Sequence, residues 1–123
     1  MKQDLLRDLL AMPDICCIIG DSRAISEGFV NADEVKYEEA GGWATIENGS
    51  WHIHFQWEAV RSVRFVEAPS FCLGGKISYG IHYLDAEDQP VVRFTFSKLY
   101  DAAGTLDREK HARYEALKAR YGR

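Results

Sequence analysis

The sequence predicts an α+β fold: an antiparallel β-meander with one helix at each end of the chain. Three observations carry this. Residues 2–12 place Leu5, Leu6, Leu9 and Leu10 on one side of a helical pattern, with Lys2, Asp4, Arg7 and Asp8 around them. Residues 43–98 alternate like paired strands, and residues 106–121 return to helical spacing with Leu106, Tyr114, Leu117 and Tyr121 in a stripe. Helices kept apart from strands, rather than alternating with them, favour α+β over a parallel sheet.

The elements follow in order. Pro13 ends the first helix, because proline disfavours helical backbone at the residue before it. The apolar run 15–19 is a buried strand, broken by Gly20-Asp21-Ser22; residues 24–30 and 34–39 are weaker strands, and Gly41-Gly42 marks a turn. Asn48-Gly49 is the strongest turn signal and predicts a two-residue type I′ loop. That register sets Ile46 opposite Trp51, Thr45 opposite His52, Ala44 opposite Ile53 and Trp43 opposite His54. One face then holds Ala44, Ile46, Trp51 and Ile53, and the other holds Trp43, Thr45, His52 and His54. In the second hairpin, a loop at Glu87-Asp88 sets Tyr83 opposite Val92, Ile81 opposite Phe94 and Tyr79 opposite Phe96, all on one apolar face. His82 opposes Arg93 on the other face. Residues 60–67 read as a further strand with neither face plainly apolar. In the last helix Asp107 and Glu109 lie at the start and Lys118 and Arg120 at the end, as the helix dipole prefers, and Gly122 stops it.

The 123 residues are expected to form one domain, 1–123. A net charge of −4 argues against a nucleic-acid partner, which would demand a basic surface. Three cysteines, Cys16, Cys17 and Cys72, make no disulfide framework. The start of the chain lacks the unbroken apolar stretch of a signal peptide, and no apolar run reaches membrane-spanning length. The expectation is a cytoplasmic protein without a membrane partner.

Three stretches resemble a known family: Phe65-Val66-Glu67-Ala68-Pro69-Ser70-Phe71, Tyr83-Leu84-Asp85-Ala86-Glu87, and Val92-Arg93-Phe94-Thr95-Phe96-Ser97-Lys98-Leu99-Tyr100-Asp101. They are similar to the "FVE-x-P-F", "F-x-D-x-x-G" and "F-K-V-F-x-G-R-D" segments of the haem-utilisation carriers of the HemS/ChuX/HutX type. Arg23-Ala24-Ile25-Ser26-Glu27 resembles an "x-A-V-H-E" stretch of the HemS-type halves, and His54 resembles the histidine of a Gly-His pair. The similarity covers residues 15–120 in one copy. It implies a large antiparallel sheet with flanking helices, a homodimer, and intracellular haem binding and hand-off. The chain departs from the pattern in several places: Ser26 stands where the HemS-type halves place an axial histidine, Ile53 replaces the glycine before His54, Ser97-Lys98 replaces Gly-Arg, Arg93 replaces the lysine, and the D-x-x-G turn lacks its glycine.

Haem needs an axial ligand, cations for its propionates and an apolar slot for its ring. His54 is the candidate axial ligand, with Trp43 and His52 on its face and His82 as the alternative; Arg93 and Lys98 are the candidate propionate partners. A structural zinc site at His52-x-His54 would need further ligands, and none lies at matching spacing. His111 reads as a surface residue of the last helix. No nucleophile–base pair can be named, so the expected activity is non-enzymatic carriage of haem or a related tetrapyrrole. Two rivals stand beside it: oxidation of haem with external electrons, and a relative that keeps the fold but binds another small apolar ligand or a protein.

Overall fold

The computed structural model describes residues 2–21 and 23–122; Ser22, placed in a turn by the sequence, lies outside them. The order is α1 (Lys2–Leu10), β1 (Ile15–Asp21), β2 (Ala24–Val30), β3 (Lys36–Ala40), β4 (Trp43–Asn48), β5 (Trp51–Gln56), β6 (Ser62–Pro69), β7 (Ile77–Leu84), β8 (Pro90–Phe96) and α2 (Arg108–Tyr121). The α+β class and the two terminal helices are as the sequence predicts. The strands divide between two antiparallel sheets, a five-stranded one ordered β2-β1-β8-β7-β6 and a three-stranded one ordered β3-β4-β5. The pairing of β1 with β8 joins the two ends of the chain, with Cys17 beside Phe94 and Ile15 beside Phe96.

The two sheets bury their apolar faces together. Ala44 and Ile46 of β4 and Phe55 of β5 share one cluster with Ile15, Cys17, Ile81, Tyr83 and Phe94 of the large sheet. Phe55 and Trp57 both pack their rings against Tyr83, at centroid distances of 6.5 and 6.0 Å. The helices complete the layer. All four leucines of α1 are buried, and the Tyr83 hydroxyl donates to the Lys2 carbonyl oxygen at 2.9 Å. Tyr114 of α2 packs against Phe65, Tyr79 and Phe96, while its hydroxyl donates to Glu67 at 3.1 Å. Asp107 caps α2 by accepting from the backbone amides of Glu109 and Lys110.

The first hairpin differs from its sequence reading by one turn position. Asn48 pairs with Trp51, Ile46 with Ile53 and Thr45 with His54, so the loop is Gly49-Ser50. Gly49 alone of the two has positive φ (59°), the pattern of a type II′ loop. Asn48 stays in the strand because it is buried and its side-chain oxygen accepts the Asn31 amide at 2.7 Å, tying β4 to the connection from β2. The shift leaves every side chain on its expected face but moves its partner: Trp43 opposes Gln56, not His54. In the second hairpin the expected pairs Ile81–Phe94, His82–Arg93 and Tyr83–Val92 are present, and the ladder ends at Gly80–Thr95, before Tyr79 and Phe96. A shift between Tyr83 and Leu84 brings Leu84 opposite Pro90, and the loop spans 85–89, held by the Asp85 carboxylate accepting from the amides of Glu87 and Gln89.

A close approach across the seam lies at Gly28 on β2. A Cβ at this position would lie 2.7 Å from Trp51 Cε2, so the indole of β5 rests on bare backbone. Gly28→Ala is therefore expected to destabilise the fold by roughly 1–3 kcal/mol, since overpacking displaces a ring rather than a flexible tip. Urea unfolding would check this, and an unchanged midpoint would show that the sheets are not in contact here.

Candidate functional site

Strand alternation fixes the first surface. With Ala44, Ile46 and Phe55 facing the seam, Trp43, Thr45, His52 and His54 face outward on the small sheet. His52 and His54 are exposed, and Trp43 is 44% exposed. The two imidazoles meet edge to face at 5.1 Å between centroids. Thr45, directly opposite His54, lies with its Oγ1 at 2.8 Å from His54 Nδ1. A hydroxyl held to one ring nitrogen fixes the ring plane and leaves Nε2 for another partner. With Nδ1 protonated and donating to Thr45, Nε2 has the free lone pair a metal ion requires. Thr45 is the positioning residue that the sequence-derived register assigned to His52. Trp43, sharing the face diagonally, offers an apolar ring beside this imidazole.

The second surface is the far face of the large sheet, turned away from the seam. Across it run Glu27 of β2, Ile18 of β1, Arg93 of β8, His82 of β7 and Arg64 of β6, each paired with the next. His82 is half-buried, and its pKa is lowered from 6.5, first by burial and then by the charges of Arg93 and Arg64. Arg64 pairs with Asp88 at 3.9 Å. Arg93 Nε is buried without a hydrogen-bond partner among the described residues, an orphaned cationic donor suited to an oxyanion.

Lys98 occupies a third place. It follows β8 with a left-handed backbone (φ 56°), and its ammonium, mostly exposed, lies 3.7 Å from Asp14. Lys110 of α2 ties the same corner, contacting Asp14 at 2.8 Å and donating to the Lys98 carbonyl oxygen at 3.0 Å. A cavity of about 560 Å³ opens beside Asp14 and Lys98, walled by Phe29 and Asn31. The six residues singled out from the sequence thus lie on three surfaces. His54, His52 and Trp43 are together; His82 and Arg93 are together on the opposite side of the molecule; Lys98 is at a corner. His54 and Arg93 do not converge on one ligand within a protomer, because they belong to outward faces of two sheets that pack back to back.

Of the three free cysteines, Cys72 is exposed and the other two are buried. Cys16 and Cys17 point to opposite faces of β1, and burial pushes their thiols up to about 11 and about 12, so neither is a thiolate at neutral pH. No cluster of three or more metal-binding side chains exists among the described residues, and no helix among them is long and apolar enough to cross a membrane.

His82 makes stability depend on pH with a definite sign. Its neutral form is favoured in the fold, so the unfolded chain takes up a proton first as pH falls below about 6.5, and the native state loses stability from there downward. The urea midpoint is expected to fall between pH 7.5 and 5.5, and His82→Gln to flatten that decline. An equally steep decline in the variant would assign it to other groups.

A protein-family profile matches this chain over residues 3–121. No curated protein matches it in sequence. Among solved structures, the heme binding protein ChuX superposes with a TM-score of 0.75 at 13% identity, covering 95% of this chain and 70% of that one. Apo-PhuS, a heme-binding protein from Pseudomonas aeruginosa, gives 0.70 at 13% identity over 92% of this chain and 31% of its own. ChuS, an E. coli heme oxygenase, gives 0.65 at 15% identity over 98% and 33%. The chain thus spans about a third of the two longer proteins. At these identities the likeness is one of fold. The chain belongs to the family whose profile spans residues 3–121, and its architecture is the ChuX-like α+β fold.

Proposed function

We propose that this protein binds haem and hands it on inside the cell without transforming it, as a homodimer. The observation that carries the reading is the His54 imidazole, exposed on the same sheet face as Trp43 and held through Nδ1 to Thr45. An oriented neutral imidazole with one free nitrogen is what a haem iron takes from a protein, and a flat indole edge suits the macrocycle. Haem is named in the descriptions of ChuX and PhuS, which share this fold.

Hemin titrated into the protein is expected to give a saturable Soret band at one equivalent per chain, and His54→Ala to shift or abolish it. No saturable band would end the haem reading. Decay of the band with release of iron, on supplying reductant and oxygen, would instead make the protein a haem-degrading enzyme, like the heme oxygenase ChuS.

A second reading of the ligand residue rests on the orphaned Arg93 Nε beside His82. Arg93 can meet a propionate only of a haem on the far face of the large sheet, where His82 is the adjacent imidazole and burial keeps it neutral. In that case His82→Ala, not His54→Ala, would remove the Soret band.

The same far face supplies the dimer contact in this proposal. Ile25 and Phe29 on β2 are 54% and 68% exposed. Glu27 lies on the β2 edge and Arg64 on the β6 edge, with Arg93 on the central strand β8. A two-fold axis parallel to the strands sets β2 of one protomer over β6 of the other, so that carboxylate meets guanidinium twice. His54 then stays on the outer surface of each protomer. Sedimentation is expected to show a dimer for the native chain and a monomer for a Phe29→Asp, Glu27→Lys double variant; a native monomer at tens of micromolar would contradict the arrangement.

A further inference from the structure

We propose that the crevice between the free edges of the two sheets, where β2 faces β5, binds a neutral two-ring aromatic molecule at a site separate from the haem surface. β2 is the edge strand of the large sheet and β5 that of the small one. They approach where the Trp51 indole rests on Gly28, and beside that contact a cavity of about 280 Å³ remains. Its buried and half-buried walls are Cys17, Ile19, Trp51 and Ile53, all apolar or sulfur-bearing.

Size selects the ligand first. A cavity of ~150 Å³ admits benzene, so one of nearly twice that volume admits two fused rings. It is too small for four linked pyrroles, which sets it apart from the proposed haem surface. Chemistry selects next. The exposed Ser26 hydroxyl is the polar side chain that can reach a ligand at the opening; the His52 imidazole turns to the outer face of the small sheet, against His54. Glu27 turns its carboxylate to the other face of β2, where Cys16 Sγ lies 3.8 Å from it. No lysine or arginine lines the space among the described residues, so a carboxylate ligand would be desolvated without a partner. A neutral ring system with one hydroxyl or N–H is therefore favoured. The Cys17 thiol, held protonated by burial, offers a polarisable contact to a ring rather than a nucleophile.

The test is titration of 15N-labelled protein with 1-naphthol, using naphthalene-1-carboxylate as the charged comparison. Saturable shifts are expected at the amides of Cys17, Gly28 and Ile53 and at the Trp51 indole N–H, with the carboxylate binding about tenfold or more weaker. Ser26→Phe, a strand-compatible change at an exposed position, should fill the opening and weaken naphthol binding at least about tenfold. It should leave the hemin titration unchanged, which keeps this site's failure distinct from that of the haem reading. Ile53→Ala, which removes a wall, serves as a second variant if Ser26→Phe unfolds. Absence of saturable shifts, shifts centred on Trp43 and His54, or native affinity in both variants would overturn the proposal.

Discussion

The packing of the small sheet onto the large one, seen at Trp51 and Gly28, sets the outward direction of the candidate site residues carried by the strands. Once Ala44, Ile46 and Phe55 are committed to the seam, strand alternation leaves no choice for Trp43, Thr45, His52 and His54. The same commitment turns Ile18, Arg93 and His82 to the far side of the large sheet, because their neighbours Cys17, Phe94, Ile81 and Tyr83 are in the core. Two imidazole-bearing surfaces on opposite sides of one core are a consequence of this packing. A glycine is required there because the indole approaches the backbone more closely than any Cβ permits.

Charge is then distributed unevenly over those surfaces. Helix α2 is tied to the large sheet by Lys118 with Glu67 at 2.7 Å and to helix α1 by Tyr121 with Asp8 at 2.6 Å, which occupies these carboxylates. On the far face Arg93 and Arg64 flank a histidine that burial keeps neutral, and Glu27 stands at the other edge. A third cation at His82 would add like-charge repulsion to this face. The small-sheet face carries two imidazoles and an indole together with Glu38 and Glu47, which stand opposite Thr45 and His52.

Much of this was legible in the alternation of apolar and polar residues. The face assignments of β4 and β5 survive the register change because moving the turn by one residue shifts the pairing by an even step. The turn itself was misplaced because Asn48, a strong turn former locally, is recruited by the distant Asn31 amide, and no local pattern reveals a long-range hydrogen bond. The β7–β8 pairs from Gly80 to Tyr83 were correct because both strands segregate cleanly. β6 looked ambiguous since Glu67 shares the core-facing side with Val63 and Phe65, where it accepts from Tyr114 and Lys118. The division into two sheets, and the β1–β8 pairing that closes the larger one, join residues far apart in sequence and carry no local signature. That division is also what separates Arg93 and Lys98 from His54, so the individual site residues could be nominated from the sequence while their grouping could not.

The most direct test of the central claim uses the paramagnetism of ferric haem. In spectra of 15N-labelled protein with substoichiometric hemin, the account expects line broadening centred on Thr45, His52 and His54, with the amides of Gly80, His82 and Arg93 unaffected. Broadening centred on His82 and Arg93 with sharp signals at His54 would contradict it, as would the absence of localised broadening anywhere on the sheets.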